Sequence, residues 1–420
     1  MKHSRIHPEN LPETVIWYYL ISTYLLYLLG AQYVAACLLG TFLTLCVLKQ
    51  WWEETDKTPP EERIVFSPLN WVWIGAILTI QFSSIIGHLD NSLGMGTLFE
   101  STVFWWYPGW GLFILFTVAG QLKIRPEIIY RAACILCFQS LIVTAVFRVA
   151  ALVHLPQLIY VSPLQMFGGG AHVSTINLCY VLDVDEVRLV LFTPWSPALG
   201  LVGNMYLWLA LAEQNLKWRF LGIMGAVAMV ITSASRMAMV TLPCVPILIW
   251  CLTHCFNPWF QICAGFLTPL FVMILPWVRQ VVRALKERFH NARPGSSIVR
   301  KALRDMARQQ WERDAFFWGH GVLSPKGPPV TGGVPVGTHH TWLGLLYIHG
   351  IFAFAALSIG FFLSFLDLGI KAFTHKTSRT GLAILTVLFL FSLGDNIDIL
   401  AYLYWPGLIV MGQGFKEKWT

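Results

Sequence analysis

The stretch "GTHHTWLGLLYIHGIFAFAALSIGFFLSFL", residues 337–366, passes from a Gly/Pro-rich approach through two adjacent histidines into an apolar run with no Asp, Glu, Lys or Arg. From residue 341 to residue 366 that run is long enough to span a bilayer core, which takes about 20 helical residues. Comparable runs recur near 14–29, 31–48, 69–87, 102–120, 132–153, 195–212, 219–233, 237–254, 258–278, 380–395 and 397–413. With only 12% charged and 56% hydrophobic residues in 420, the chain holds roughly half the charge of a soluble protein. A β-barrel would instead alternate apolar and polar residues in segments of about ten. The expected fold is an all-α polytopic membrane protein of about twelve spans, with a tight hairpin at Gly30 and a break at "GDN", residues 394–396. Met1–Pro12 is polar and leads into continued membrane segments, so no cleavable signal peptide is read there.

Charge orders these spans. Lys2, Arg5, Lys123, Arg125, Arg131, Lys217, Arg219, Lys371, Lys376, Arg379, Lys416 and Lys418 fall on one side, and the positive-inside rule makes that side cytoplasmic, termini included. Residues 1–278 then hold nine spans with an outward loop at 154–194, residues 279–340 form a large outward loop, and residues 341–420 hold the last three spans. The second loop carries eleven Lys/Arg against four Asp/Glu, a net +7 that equals the whole chain's formal charge. Within it "SSIVRKALRDMARQQWERDAFFW", residues 296–318, reads as an amphipathic helix behind a serine cap. Arg300, Arg304 and Arg308 recur at spacing four on one stripe. Such a stripe suits bidentate recognition of phosphate, or equally a helix resting on anionic lipid head groups, and charge alone does not separate the two.

Arg148 and Arg236 stand at the outer ends of spans, where a cation normally faces a cavity or a partner. Snorkelling to the interface explains Arg148 well and Arg236 less well, because "SASR" sets hydroxyls and a guanidinium at one point. His88, His154 and His172 read as interfacial residues, whereas His339 and His340 end a Gly/Pro loop where a neutral imidazole can take a proton from a hydroxyl. A metal site built on this pair and His320 lacks a carboxylate, and adjacent residues point apart. Cys134 and Cys137 form a CxxC inside an apolar run and read as buried small residues, and no structural disulfide is expected. "FGGG" at 167–170 lacks the lysine of a phosphate cradle, and no GxSxG motif marks a serine hydrolase. Trp105, Trp106, Tyr107 and Trp110 read as an interfacial aromatic belt before a sugar-stacking surface.

In this order and spacing the chain resembles the superfamily of O-antigen ligases and of O-antigen, capsule and exopolysaccharide polymerases. The resemblance rests on His339-His340-Thr341-Trp342-Leu343 followed by Gly350-Ile351, on Gly319-His320-Gly321, on Trp311, on Arg300 or Arg304, and on the Ser-Arg at Arg236. It covers most of residues 195–400, and His340 stands where that family has Asn. It implies a glycosyltransferase C-like enzyme of the bacterial inner membrane, active on the periplasmic face without metal, cofactor or nucleic acid. Its substrates would be an undecaprenyl-diphosphate-linked glycan and an acceptor glycan or lipid A-core. Its further partners would be membrane lipids and a chain-length regulator or other envelope assembly proteins. The implied site has His339, Arg236 and His340 as catalytic residues. Arg300, Arg304, Arg308, Arg148 and His320 would bind the diphosphate. The alternative from another class is a lipid-linked oligosaccharide flippase, which would show repeated halves and charges around a midplane cavity.

Overall fold

The structure, a computed structural model, describes residues 6–59, 63–167, 173–183, 186–291, 294–324 and 327–419. Lys2, Arg5, His172, Arg293, Lys326 and the glycines at 168–170, all used in the sequence reading, lie outside those residues.

From the N-terminus come α1 (Leu11–Ile21), α2 (Thr23–Leu28), α3 (Gln32–Trp52), α4 (Pro68–Asp90) and α5 (Met95–Glu100). The last of these runs through a π-helix, Ser101–Gly111, into α6 (Leu112–Ala119), and α7 (Pro126–Leu152) follows. Two small antiparallel pairs come next, β1 (Leu158–Val161) with β2 (Thr175–Leu178) and β3 (Val181–Asp183) with β4 (Glu186–Arg188). Then come α8 (Ser196–Ala212), α9 (Leu216–Thr232), α10 (Arg236–His254) and α11 (Pro258–Asn291). The chain closes with α12 (Pro294–Asp314), α13 (Thr341–Lys371), α14 (Lys376–Ser392) and α15 (Ala401–Lys416).

The protein is thus a polytopic all-α membrane protein, and each apolar run of the sequence coincides with helix. Among the described residues six helices are long and apolar enough to cross a bilayer, and a pair bent by 67° at 270–271 makes up to seven. The expected count of twelve exceeds this for a physical reason. The first run breaks at Ser22 into helices of 11 and 6 residues, while α8, α9, α14 and α15 have only 16 or 17. The large basic segment also begins differently from expectation. Helix continues past residue 278 to Asn291, because "VRQVVRALKERFHN" leaves the apolar run without leaving helix-favouring residues. Likewise α12 starts at Pro294, so Ser296 and Ser297 lie in its first turn and not at its cap.

Burial sorts the helices. Every residue of α15 from Ala401 to Phe415 is buried, and α8 is buried along most of its length. Around them the long helices turn apolar side chains outward, as with Trp259, Phe266, Met273 and Trp277 on α11, each more than 60% exposed. A helix apolar all round belongs in a core or in lipid, and here both outcomes occur in one molecule.

One junction positions the basic segment. Helix α13 is interrupted at Gly350, whose φ of 73° and ψ of −170° are not helical. A break strands carbonyls that the helix would have used. Those of Tyr347 and Ile348 accept the N–H groups of His320 (2.8 Å) and Gly321 (2.9 Å), and the Ile351 N–H donates to Phe316 O (3.1 Å). The approach is so close that a Cβ at Gly350 would lie 2.1 Å from Phe317 O, and one at Gly319 would lie 2.3 Å from Ile348 O. Trp311 stacks on Phe316 at 4.9 Å and donates its indole N–H to the Phe316 carbonyl (2.8 Å). The separated motifs Trp311, Gly319-His320-Gly321 and Gly350-Ile351 are therefore two halves of one contact. Through it Leu303 and Ala307 of α12 bury against Tyr347 and Val336, which sets Arg300 beside the start of α13.

At the opposite end of α13 the charges pair. Arg131 meets buried Glu213 (2.9 Å), Arg125 meets Glu13 (2.8 Å) and Lys371 meets Asp367 (2.8 Å).

Candidate functional site

Four pieces of chain converge at the N-terminus of α13. Ser235 caps α10 by accepting the Ala238 N–H (3.4 Å), which presents Arg236 on the first turn, half-buried. Gly200 permits this turn to sit on α8, since a Cβ there would meet Ala238 Cβ at 2.5 Å. The turn after α14 supplies Asp395 and Asn396. Thr341 ties it to α13, with its N–H and hydroxyl both donating to Asp395 O (3.2 and 2.7 Å) and its oxygen accepting from the Ile397 N–H (3.1 Å). The Asp395 carboxylate accepts the indole N–H of Trp195 (3.2 Å).

Arg300 is the electrostatic centre. It is half-buried, burial lowers its affinity for a proton, and the charges acting on it are Asp395 in its favour with Arg236 and Arg304 against. Among the described residues, two cations and one carboxylate act on this guanidinium, close to where α10 and α13 begin.

The adjacent histidines differ. His340 is the N-cap of α13: its Nδ1 accepts the Leu343 N–H (3.3 Å), and its own N–H donates to Asn396 Oδ1 (3.1 Å). Accepting at Nδ1 puts the proton of the neutral ring on Nε2. His339 sits at φ 62°, a region that L-residues other than Asn and Asp rarely occupy. Its imidazole is half-buried, and burial together with Arg300 holds its pKa below the usual histidine value. The pKa of His340 is likewise lowered by burial and by Arg304. Both rings are accordingly neutral near neutral pH and able to accept a proton.

Among the residues singled out from the sequence, the structure brings Arg236, Arg300, Arg304, His339 and His340 together. His320 lies at the junction, stacked on Tyr347 at 4.3 Å with its Nδ1–H donating to Tyr347 O (3.0 Å). Arg308 points outward, 69% exposed, and pairs with Glu312 (2.7 Å). Arg148 stands half-buried on α7, outside the charges that act on Arg300. Asp395, Asn396 and Trp195 are part of the site and were not read from the sequence; only the "GDN" break at 394–396 marked their place. Among the described residues no three His, Cys, Asp or Glu side chains are grouped to hold a metal ion.

The site thus joins three guanidiniums to two neutral imidazoles at one end of a helical protein. Residues 220–358 match the family model described as O-antigen ligase. The match covers about a third of the chain and supports its likeness to the superfamily of O-antigen ligases and polymerases. The matched segment runs from α9 to the middle of α13 and includes Arg236, Arg300, Arg304, His339 and His340. No curated protein matches the chain.

Proposed function

We propose that the protein is a glycosyltransferase of the bacterial inner membrane, acting on its periplasmic face. It moves a glycan from undecaprenyl diphosphate to an acceptor hydroxyl. The preferred acceptor is another lipid-linked repeat, which makes it a polymerase; lipid A-core, which makes it a ligase, comes next. In this reading the short helices α8, α9, α14 and α15 also cross the membrane, giving about twelve spans with both termini cytoplasmic and residues 279–340 periplasmic.

The observation that carries the proposal is the neutral His339 held beside Arg300 within an excess of cations. The acceptor oxygen attacks the anomeric carbon, the bond from that carbon to the diphosphate oxygen breaks, and the acceptor's proton passes to His339. The negative charge growing on the departing diphosphate is met by Arg300 and Arg236, with Arg304 at the rim. These guanidiniums fill the role a divalent cation has in other such transfers. One displacement inverts the anomeric centre. His340 holds the first turn of α13 where the family's Asn, an equally good cap, would hold it.

The test is a surface-glycan gel from cells whose sole copy carries His339→Ala, with membrane insertion checked by immunoblot. Long-chain glycan is expected to vanish, and a full wild-type profile overturns the assignment. In a deletion strain, loss of the ladder with single repeats retained indicates a polymerase, and loss of all attachment to core indicates a ligase.

A further inference from the structure

A cavity of about 260 Å³ opens on the other side of the 395–398 turn from Arg300. Its walls bring together Trp105, Trp106 and Trp110 from the π-helix, the Glu100 and Asp398 carboxylates, and His349 next to the α13 break. The site and the cavity share residues. Asn396, which accepts the His340 N–H at 3.1 Å, lines the cavity, as does Gly321 of the junction.

The wall is built and not incidental. A π-helix is a rare, wide turn that recurs at functional sites. Here it is pinned from outside: Tyr33 OH donates to Phe104 O (3.2 Å), Gln81 to Thr102 Oγ1 (2.8 Å), and the Trp106 indole N–H to Ile77 O (3.3 Å). His349 supplies an independent observation. Its Nδ1 is buried and has no hydrogen-bond partner among the described residues. Its neighbour His88, by contrast, engages Ser84 O (2.7 Å) through Nδ1 and Ser101 Oγ (3.1 Å) through Nε2. The His349 ring lines the cavity, so turning it would offer this unpaired nitrogen to a ligand's hydroxyl.

We propose that this cavity is a subsite for one neutral pyranose ring of the transferred or receiving glycan, an inference that rests on the glycosyltransferase reading. The chemistry matches the wall. Indole faces cover the C–H face of a sugar, while two carboxylates and an imidazole nitrogen take its hydroxyls. The volume accommodates a pyranose ring. Glu100 and Asp398 repel an acidic sugar, so the subsite discriminates against uronic acids and leaves the diphosphate to the arginines across the turn.

The experiment uses the full chain in lipid nanodiscs, with Trp105→Ala and Glu100→Gln as variants; both positions are exposed enough to spare the fold. Saturation-transfer NMR with methyl glucoside, galactoside, N-acetylglucosaminide, rhamnoside and glucuronide reads binding without requiring turnover. At least one neutral glycoside is expected to give a signal that falls several-fold in each variant, and the glucuronide to give none. No signal from any neutral glycoside, or signals unchanged in both variants, overturns the subsite. Turnover with lipid-linked glycan extracted from the native strain then locates it. A rise of about tenfold in one half-saturation constant, with kcat kept within about twofold, assigns the ring to acceptor or donor. Unchanged constants for both substrates overturn a role in transfer. If wild type and His339→Ala are equally inert while glycosides bind, the glycosyltransferase reading fails and the sugar site stands.

Discussion

The two ends of α13 solve the same problem in opposite ways. At its C-terminal end several cations meet a carboxylate, as in Arg131 with Glu213, Arg125 with Glu13 and Lys371 with Asp367. At its N-terminal end the described charges acting on Arg300 are Arg236, Arg304 and one carboxylate, Asp395. Neutralised charge is an economical way to anchor a helix end. Charge kept in excess costs stability, and proteins tolerate it where an anion will supply the balance. The lesson is that the number of cations was a poor guide to the working end, because both ends are rich in them; the neutral imidazoles beside Arg300 distinguish the two.

Mutations can break or sharpen that contrast. The largest effect on glycan transfer is expected from His339→Ala, a loss of roughly 10²–10⁴-fold in turnover by purified protein, as removal of a general base gives. A residual rate within tenfold of wild type would remove His339 from the chemistry. Arg300→Gln comes next, with a drop on the order of 10²-fold. It carries a second signature in the pH profile. Arg300 holds the His339 pKa down, so its removal raises that pKa and protonates the imidazole at higher pH. The acid limb of kcat/KM must then move to higher pH, and a limb that stays put or moves down contradicts the coupling.

His340→Ala removes the acceptor for the Leu343 N–H and is expected to cost about 0.5–2 kcal/mol in the first turn of α13, with a moderate fall in turnover. His340→Asn should restore both, since Asn caps equally well; failure of that rescue would give His340 a role beyond capping. At the paired end, Arg131→Ala strands the Glu213 carboxylate, which is 1% exposed. The melting temperature should fall with a destabilisation of roughly 3–5 kcal/mol, while turnover per folded molecule is unchanged. Arg308→Ala is the smallest case: its pair with Glu312 is exposed and screened by solvent, so neither the melting temperature nor glycan length should change measurably.

Much of this was legible beforehand, for identifiable reasons. Hydrophobic runs became helices because hydrocarbon tolerates little else, and the histidine-arginine grouping showed in motif order across residues 236–340. The stripe Arg300, Arg304, Arg308 was read as one surface, yet spacing four overshoots a 3.6-residue turn by about 40° each step. Arg308 has consequently rotated out to Glu312, while Arg300 faces His339. Asp395 and Trp195 were invisible because their meeting is made across 200 residues of chain. His339 and His340 look alike in the sequence and differ in the structure: one occupies a left-handed backbone conformation, and the ring of the other caps the helix.

The break at Gly350 also dictates an order of assembly. In the broken helix the Tyr347 and Ile348 carbonyls take their donors from the Phe316–Gly321 loop, and apolar surroundings offer no other. The loop precedes α13 in the chain and so leaves the ribosome first, ready when the helix emerges behind it. The same docking that closes the α13 break also sets Arg300 beside His339, so a chain in which the loop fails to dock loses both.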